Sequence, residues 1–295
     1  MAQGRTEETR IDQIDMFAGD NSFAAELSVR LKATNQTDVL IYVHGYNTTF
    51  RSAMEAGAFL ASDIKFAGIP VVFSWPSEGV AIDYVADGNQ ARISRDSFVQ
   101  LLSVIKAAEG VKNINIVVHS MGGRVVSDAI EWMTAQSTGR QQFLHNVVFA
   151  APDVDTELFR RLVGRFSQAS VRATLYASTF DQALICSRLL NEGPRAGLAG
   201  DDLVLHENLD TIDVTKAENP SIADRIANSN WLTAQIYYLI VQSCREGHSY
   251  VTRNIAVLND LNSLIVQNTG PERRIRLQER RRDPYRYWEF LPAQP

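Results

Sequence analysis

Residues 114–126 read INIVVHSMGGRVV, a run of branched apolar residues that leads into Ser120 and two glycines. The apolar run predicts a buried strand that ends near Val118, and the apolar spacing after Gly123 predicts a helix. A strand, a tight turn with serine at its tip and a helix form the arrangement that exposes a serine hydroxyl as a nucleophile. Taken alone the pattern is weak, because serine is also common at the start of a helix.

Short apolar runs and helical patterns alternate on both sides of this segment. The other runs predict strands at residues 39–43, 71–73, 147–150, 173–177 and 209–214. Such alternation implies an α/β fold with right-handed crossovers, a doubly wound, mostly parallel sheet of about six strands with helices on both faces. The sequence has no internal repeat and no low-complexity linker, so residues 1–270 are expected to form a single domain.

Two segments depart from this alternation. Residues 215–247 contain an amphipathic run at residues 231–241, which predicts a helix that covers the sheet; a lid or a dimer surface is the alternative, and a homo-oligomer is left open. Residues 271–295 carry seven arginines, partly offset by acidic residues. We expect an Arg-rich solvated tail or a helix packed by its aromatic residues, with contact to phosphate or a membrane surface as the alternative.

The composition, with 45% hydrophobic residues, is typical of a soluble globular protein. With 29 Lys and Arg against 34 Asp and Glu, the net charge is -5, so the chain lacks the basic character expected of a protein that binds nucleic acid. We do not expect the polar N-terminal residues to act as a secretory signal, and no apolar run reaches the roughly 20 residues that cross a bilayer. We therefore expect a cytoplasmic protein without a membrane span.

Cysteine usage and the missing cofactor motifs narrow the chemistry further. The two cysteines, Cys186 and Cys244, form no CxxC pair, which argues against a thiolate zinc site. We expect two buried thiols in a reducing compartment, with one disulfide between them as the alternative. The sequence has no P-loop, HExxH or GxGxxG motif, so we expect neither a metal nor a cofactor.

The sequence VHGYN at residues 43–47 supports a nucleophilic role for Ser120. A His-Gly turn after this strand supplies a backbone N–H that binds a developing oxyanion. We predict that the N–H groups of Tyr46 and Met121 form the oxyanion hole, with Gly45 giving the loop its geometry. His44 precedes the nucleophile, whereas the base of this topology follows it, so we predict that His44 braces the loop.

An acid and a base are predicted downstream of the nucleophile. Asp181 follows the fifth predicted strand and His248 follows the sixth, so both are expected on adjacent loops at one edge of the sheet. Asp153 and Asp155 are rival acids, with Asp153 the stronger of the two, although both are also placed to cap a helix. His206 is a rival base, although it precedes the sixth strand instead of following it.

Six motifs together resemble those of one α/β-hydrolase family: VHGYN, FSWPS, HSMGG, AAPDVD, STFDQAL and GHSY. This family is a group of bacterial proteins long catalogued as a domain of unknown function and related to serine esterases and lipases. The resemblance runs from residue 22 to residue 268 and implies the nucleophile Ser120, the acid Asp181 and the base His248. Val118 departs from the pattern, which has glycine or alanine there, and the residues before the first strand predict a helix instead of a hairpin.

These residues predict a serine hydrolase that cleaves small-molecule carboxylic esters through an acyl-enzyme on Ser120. Asn47 and Trp75 lie on loops at the carboxyl edge of the sheet and are predicted to contact substrate, with a packed loop anchor as the alternative for Trp75. Tyr84 and Asp87 are expected on the following loop, near the entrance. The alternative functions are an acyltransferase or amidase with the same triad, and a non-catalytic binding module on this fold.

Overall fold

The computed structural model describes residue 11 and residues 13–77, 84–136, 141–217 and 254–291. His248, the amphipathic run at residues 231–241 and Cys244 lie outside the described residues. Among the described residues, eight strands form one sheet in the order β2-β1-β3-β4-β5-β6-β8-β7. The strands are β1 (Asp38–Val43), β2 (Ile69–Phe73), β3 (Asn113–His119), β4 (Leu144–Ala150), β5 (Ser170–Ala177), β6 (Asp210–Asp213), β7 (Leu277–Arg282) and β8 (Tyr285–Phe290).

Strands β1 to β6 correspond to the six strands predicted from the apolar runs, and all their neighbours pair in parallel. This arrangement confirms the predicted α/β fold. The register places Val43 opposite Val118, and His119 opposite Ala150. The carboxyl ends of β1, β3 and β4 therefore meet at one edge, where ligands bind in open sheets of this kind.

Helices cover both faces of the sheet. They are α1 (Asp20–Thr34), α2 (Phe50–Asp63), α3 (Tyr84–Ile93), α4 (Arg95–Ala107), α5 (Gly122–Ala135), α6 (Thr156–Ala169), α7 (Gln182–Leu190) and α8 (Ile255–Leu261). Because side chains alternate along a strand, Val118 and Phe149 pack with α4, α5 and α6, whereas Val117 and Tyr176 pack with α2 and α8. In the part of the chain that the structure describes, no helix has the length and apolar character needed to cross a membrane.

The helix expected before the first strand is present as α1, which buries Leu27 and Leu31. The hydrogen-bonded turn at its end uses Asn35 in the left-handed conformation, with φ 53°. Tyr84 and Asp87, which the sequence predicts on a loop, both belong to α3. Helices α1 and α3 complete the helical layer on the face of the sheet that also carries α4, α5 and α6.

The Arg-rich C-terminal residues form a β-hairpin, which corrects the expectation of a solvated tail or a helix. Strand β8 pairs in parallel with β6 and places Trp288 beside Ile212, so the sheet has two strands more than expected. Trp288 and Phe290 are buried against α8. Arg274 enters the interior and forms an ion pair with Asp260 at 2.8 Å. Residues 277–290 are therefore part of the domain and not an appendage.

Candidate active site

Ser120 occupies a strained turn between β3 and α5. Its φ of 55° lies in the left-handed region, which costs a non-glycine residue on the order of 1–3 kcal/mol. Three hydrogen bonds hold the turn: the Ser120 N–H donates to the Ala150 carbonyl at 3.1 Å, and the Ser120 carbonyl accepts from Gly123 N at 2.9 Å and Asp153 N at 3.1 Å. A left-handed serine between a strand and a helix is the turn that the sequence predicted, and the role of Ser120 as the nucleophile stays a prediction.

Gly122 explains how valine is tolerated at position 118. A Cβ on Gly122 would lie 2.4 Å from the His44 carbonyl oxygen and 3.1 Å from side-chain carbons of Val118 and Val43. The absence of a side chain at position 122 therefore leaves room for both valines and lets α5 begin directly against β1. Gly122, four residues after Val118, thus makes room for a valine at a position where the motif has a small residue.

The loop after β1 packs directly on Ser120. A Cβ on Gly45 would lie 2.6 Å from the Ser120 Cβ and 3.2 Å from its Oγ. The backbone of this loop therefore comes as close to the hydroxyl as an oxyanion-binding segment must. Tyr46 is the next residue of the loop, and Met121 is buried directly after Ser120. The roles of the Tyr46 and Met121 amides stay a prediction.

His44 braces this loop through Trp75. The backbone N–H of Trp75 donates to His44 Nε2 at 3.1 Å, the indole N–H of Trp75 donates to the His44 carbonyl at 2.8 Å, and the two rings are stacked at 5.1 Å. Because Nε2 accepts, Nδ1 carries the proton and donates to the Gly45 carbonyl at 2.8 Å. Burial lowers the pKa of His44, which keeps the ring neutral. Both ring nitrogens are engaged, so His44 is not placed to act as a base.

Trp75 was predicted to contact substrate, with a loop anchor as the alternative. Its side chain is only 2% exposed and its indole N–H is bonded to His44. This burial agrees with the anchor alternative, because it leaves almost none of the indole surface for a ligand.

Asp87 supports the next residues of the same loop from α3. Its Oδ2 accepts from Ser77 Oγ at 2.5 Å and from Asn47 N at 3.5 Å, while Thr48 N donates to Ser77 Oγ at 3.3 Å. Asn47 has a left-handed φ of 53°. Asp87 is fully buried, so it holds the loop through these hydrogen bonds and does not line the entrance of a substrate pocket. Asn47 is half-buried, and its contact with substrate stays a prediction.

Asp181 lies just past the carboxyl end of β5, as predicted, and is fully buried. Its Oδ1 accepts from Leu184 N at 3.0 Å, which caps the start of α7. Strand β6 pairs with β5 alongside and places Asp213 opposite Ala177. His248 follows β6 in the sequence but lies outside the described residues. The structure therefore describes the predicted nucleophile and acid, and the complete triad stays a prediction.

Asp153, the rival acid, is the centre of a buried polar cluster that sequence analysis did not predict. Its Oδ1 accepts from Ser187 Oγ at 2.5 Å, and its Oδ2 accepts from the Tyr84 hydroxyl and from Arg124 Nη2 at 3.3 Å. The Arg195 guanidinium lies 3.8 Å away. These contacts occupy both carboxylate oxygens, which argues against Asp153 as the acid of a triad. Since its partners are 29 or more positions away in sequence, no local pattern could reveal them.

The helix-capping role expected near Asp153 belongs to Asp155. Its Oδ1 accepts from Leu158 N at 2.9 Å at the start of α6. The neighbouring carboxylate of Asp153 instead accepts from Tyr84, Arg124 and Ser187.

The comparisons with known proteins agree with this geometry. A family model described as an alpha/beta hydrolase of unknown function (DUF900) matches residues 19–236. The chain belongs to this α/β-hydrolase family. An uncharacterized protein of Nostoc sp., alr1448, is 27% identical over an alignment that covers 36% of this chain and 34% of the relative. The match thus spans about a third of that relative's length. The family confirms the predicted fold and supports hydrolase activity.

His206, the rival base, lies near the amino end of a strand in the structure. His206 precedes β6, and its Nδ1 accepts from Asn208 N at 3.0 Å, so this rival base sits at the opposite end of the strand. Among the described side chains, no group of three His, Cys, Asp or Glu residues could hold a metal ion.

Cys186 is disulfide-bonded, which corrects the expectation of two buried thiols.

Proposed function

We propose that this protein is a serine hydrolase that cleaves carboxylic esters of small molecules through an acyl-enzyme on Ser120. The observation that carries the proposal is the left-handed turn at Ser120, with Gly45 of the neighbouring loop packed against its hydroxyl. A strained serine is retained only where the surrounding structure holds it in place, and such strain clusters at active sites. The α/β-hydrolase family supports the same class of reaction.

The proposed reaction has two steps. His248 takes the proton from Ser120 Oγ as the oxygen attacks the ester carbonyl carbon, and it returns the proton to the departing alcohol. His248 then takes a proton from water as its oxygen attacks the acyl carbon, and it returns that proton to Ser120 Oγ as the C–O bond to Ser120 breaks and the acid departs. In both steps the Tyr46 and Met121 amides bind the tetrahedral oxyanion, each contributing about 3 kcal/mol to the transition state.

Asp181 is the proposed acid that orients His248 and stabilises its cation. It lies beyond β5, beside the strand from which the chain continues toward position 248. Asp153 is the weaker candidate, because Tyr84, Arg124 and Ser187 already use its oxygens. The proposal therefore assigns Asp181 to the triad and Asp153 to its support.

The aromatic rings beside the nucleophile favour an apolar substrate. Tyr46 follows Gly45 directly, and its ring contacts that of Tyr84 edge to face at 5.5 Å. Walls of this kind suit a hydrophobic acyl or aryl ester better than a charged one. Turnover by this mechanism needs no cofactor, and a cytoplasmic location remains part of the proposal.

The test is a panel of p-nitrophenyl esters of increasing chain length, assayed with the wild type, Ser120→Ala and Ser103→Ala. Ser103 is the matched control, because it is exposed on α4 and bonds only within its helix, to the Val99 carbonyl. We expect hydrolysis by the wild type and the control and none by Ser120→Ala. Equal hydrolysis by Ser120→Ala would overturn the proposal. Transfer of the acyl group to an added alcohol or amine, in place of water, would instead indicate an acyltransferase.

A further inference from the structure

The hydroxyl of Tyr84, the first residue of α3, joins side chains from three separate parts of the chain. It donates to Asp153 Oδ2 and accepts from Arg124 Nη2 at 2.7 Å. It accepts a second hydrogen bond from Asn191 Nδ2 at 3.0 Å, and it lies 2.7 Å from Ser187 Oγ, whose proton goes to Asp153 Oδ1. One hydroxyl offers a single proton and two lone pairs, so its capacity for hydrogen bonds is fully used.

The partners of this hydroxyl belong to the segments that carry the proposed nucleophile and acid. Arg124 is in the first turn of α5, four residues after Ser120. Asp153 donates its backbone N–H to the Ser120 carbonyl. Ser187 lies on α7, the helix that Asp181 caps. The Tyr84 hydroxyl therefore connects the turn of the nucleophile with the helix of the acid.

The ring of Tyr84 makes a separate contact with the oxyanion loop. It meets the Tyr46 ring edge to face at 5.5 Å, while the Arg124 guanidinium lies over it at 5.5 Å. Burial and the nearby Asp153 carboxylate raise the pKa of Tyr84 to about 12, so the phenol keeps the proton that it donates. Ring and hydroxyl thus hold different parts of the same site.

We propose that Tyr84 is a positioning residue: its hydroxyl fixes α7 relative to Ser120, and its ring fixes the loop at Tyr46. It acts through these neighbours and does not touch the reacting atoms. The inference rests on the proposed function, because it assigns Tyr84 to the support of that site. A misplacement of catalytic groups by about 1 Å can lower a rate by about two orders of magnitude, so such support is expected to be visible in kcat.

The kinetic test is Tyr84→Phe, which removes the hydroxyl and keeps the ring. We expect kcat for a p-nitrophenyl ester to fall about tenfold, with KM changed less than about twofold. Ser187→Ala removes a second part of the same connection, so the double variant is expected to lose less than the product of the two single losses. Tyr285→Phe is the matched control, since that tyrosine is exposed on β8, and its kcat is expected to stay at the wild-type value.

Hydrogen exchange tests the same proposal without relying on activity. In Tyr84→Phe we expect faster exchange in residues 182–191 and unchanged exchange in residues 277–290. Tyr84→Ala, which also removes the ring, should in addition raise exchange in residues 45–49. The proposal is overturned if Tyr84→Phe has the same hydrogen exchange and the same kcat as the wild type. It is also overturned if exchange becomes faster over the whole chain. If the wild type hydrolyses no ester, the proposed function fails and the exchange pattern alone decides the role of Tyr84.

Discussion

Gly45 and Ser120 are packed so closely that a Cβ at position 45 would lie 2.6 Å from the Ser120 Cβ and 3.2 Å from its Oγ. Contacts shorter than 3.0 Å are not tolerated by real side chains, so one of the two segments would have to move. The short distance shows that a glycine at position 45 is needed for the position of the Ser120 hydroxyl and not only for a turn.

Gly45→Ala is therefore expected to lower kcat at least about 100-fold, because the added methyl displaces the hydroxyl from its position. Gly164→Ala is the matched control: its Cβ would meet nothing within 4 Å on α6. We expect that control to keep full activity and to gain up to about 1 kcal/mol in free energy of unfolding. Steady-state kinetics and urea unfolding measure both effects. Wild-type kcat in Gly45→Ala would contradict the assignment of this loop.

The two candidate acids should separate in kinetics and stability. Asp181→Asn is expected to lower kcat about 10⁴-fold, because the amide no longer stabilises the imidazolium. Asp153→Asn leaves Arg124 and Arg195 without their buried carboxylate, so it is expected to cost about 3 kcal/mol in free energy of unfolding. Its kcat should fall much less than that of Asp181→Asn. The reverse order of kcat losses would make Asp153 the acid.

His44 should contribute to the pH dependence of stability. Burial lowers the pKa of His44 below the ordinary value of 6.5, with partial opposition from bonds to Gly45 and Trp75 and from Asp87. Protonation therefore favours the unfolded chain, so the contribution of His44 is complete above pH 6.5 and is lost as the pH falls toward the folded pKa. His44→Gln keeps an acceptor for Trp75 without titrating. Urea unfolding between pH 7 and 5 should show a shallower loss of stability for this variant, and equal slopes would refute the account.

The C-terminal hairpin should behave as part of the core. Trp288→Ala is expected to lower the free energy of unfolding by about 3–5 kcal/mol, because the indole is buried beside Ile212. Trp132, 43% exposed on α5, is the matched control, and its replacement by alanine should cost less than about 1 kcal/mol. Chemical unfolding compares the two variants. Equal losses would mean that the hairpin contributes no more than an exposed side chain.

The parallel core could be predicted from the sequence because buried parallel strands are continuous apolar runs. The runs at residues 39–43 and 114–118 became β1 and β3 with their ends aligned. The turn at Ser120 could also be predicted, since strand, serine, glycines and helix follow one another locally. This local order is the reason that Ser120 could be singled out from the sequence.

The hairpin and the Asp153 cluster could not be predicted from the sequence, the first because its local pattern is unusual and the second because its residues are far apart in the chain. Strand β7 is an edge strand rich in arginine, and its exposed charges hide the alternation that usually marks a strand. The cluster joins Tyr84, Arg124, Asp153 and Ser187, which meet only after the sheet and its helices have assembled. Cys186 differs from expectation because sequence spacing cannot choose between a thiol and a disulfide.

The most direct test of the central claim is to treat the folded protein with a fluorophosphonate probe and map the modified peptide by mass spectrometry. We predict a single adduct on Ser120 that is absent in Ser120→Ala and present in Ser103→Ala. An unmodified protein, or an adduct confined to another residue, would contradict the assignment of Ser120 as the nucleophile.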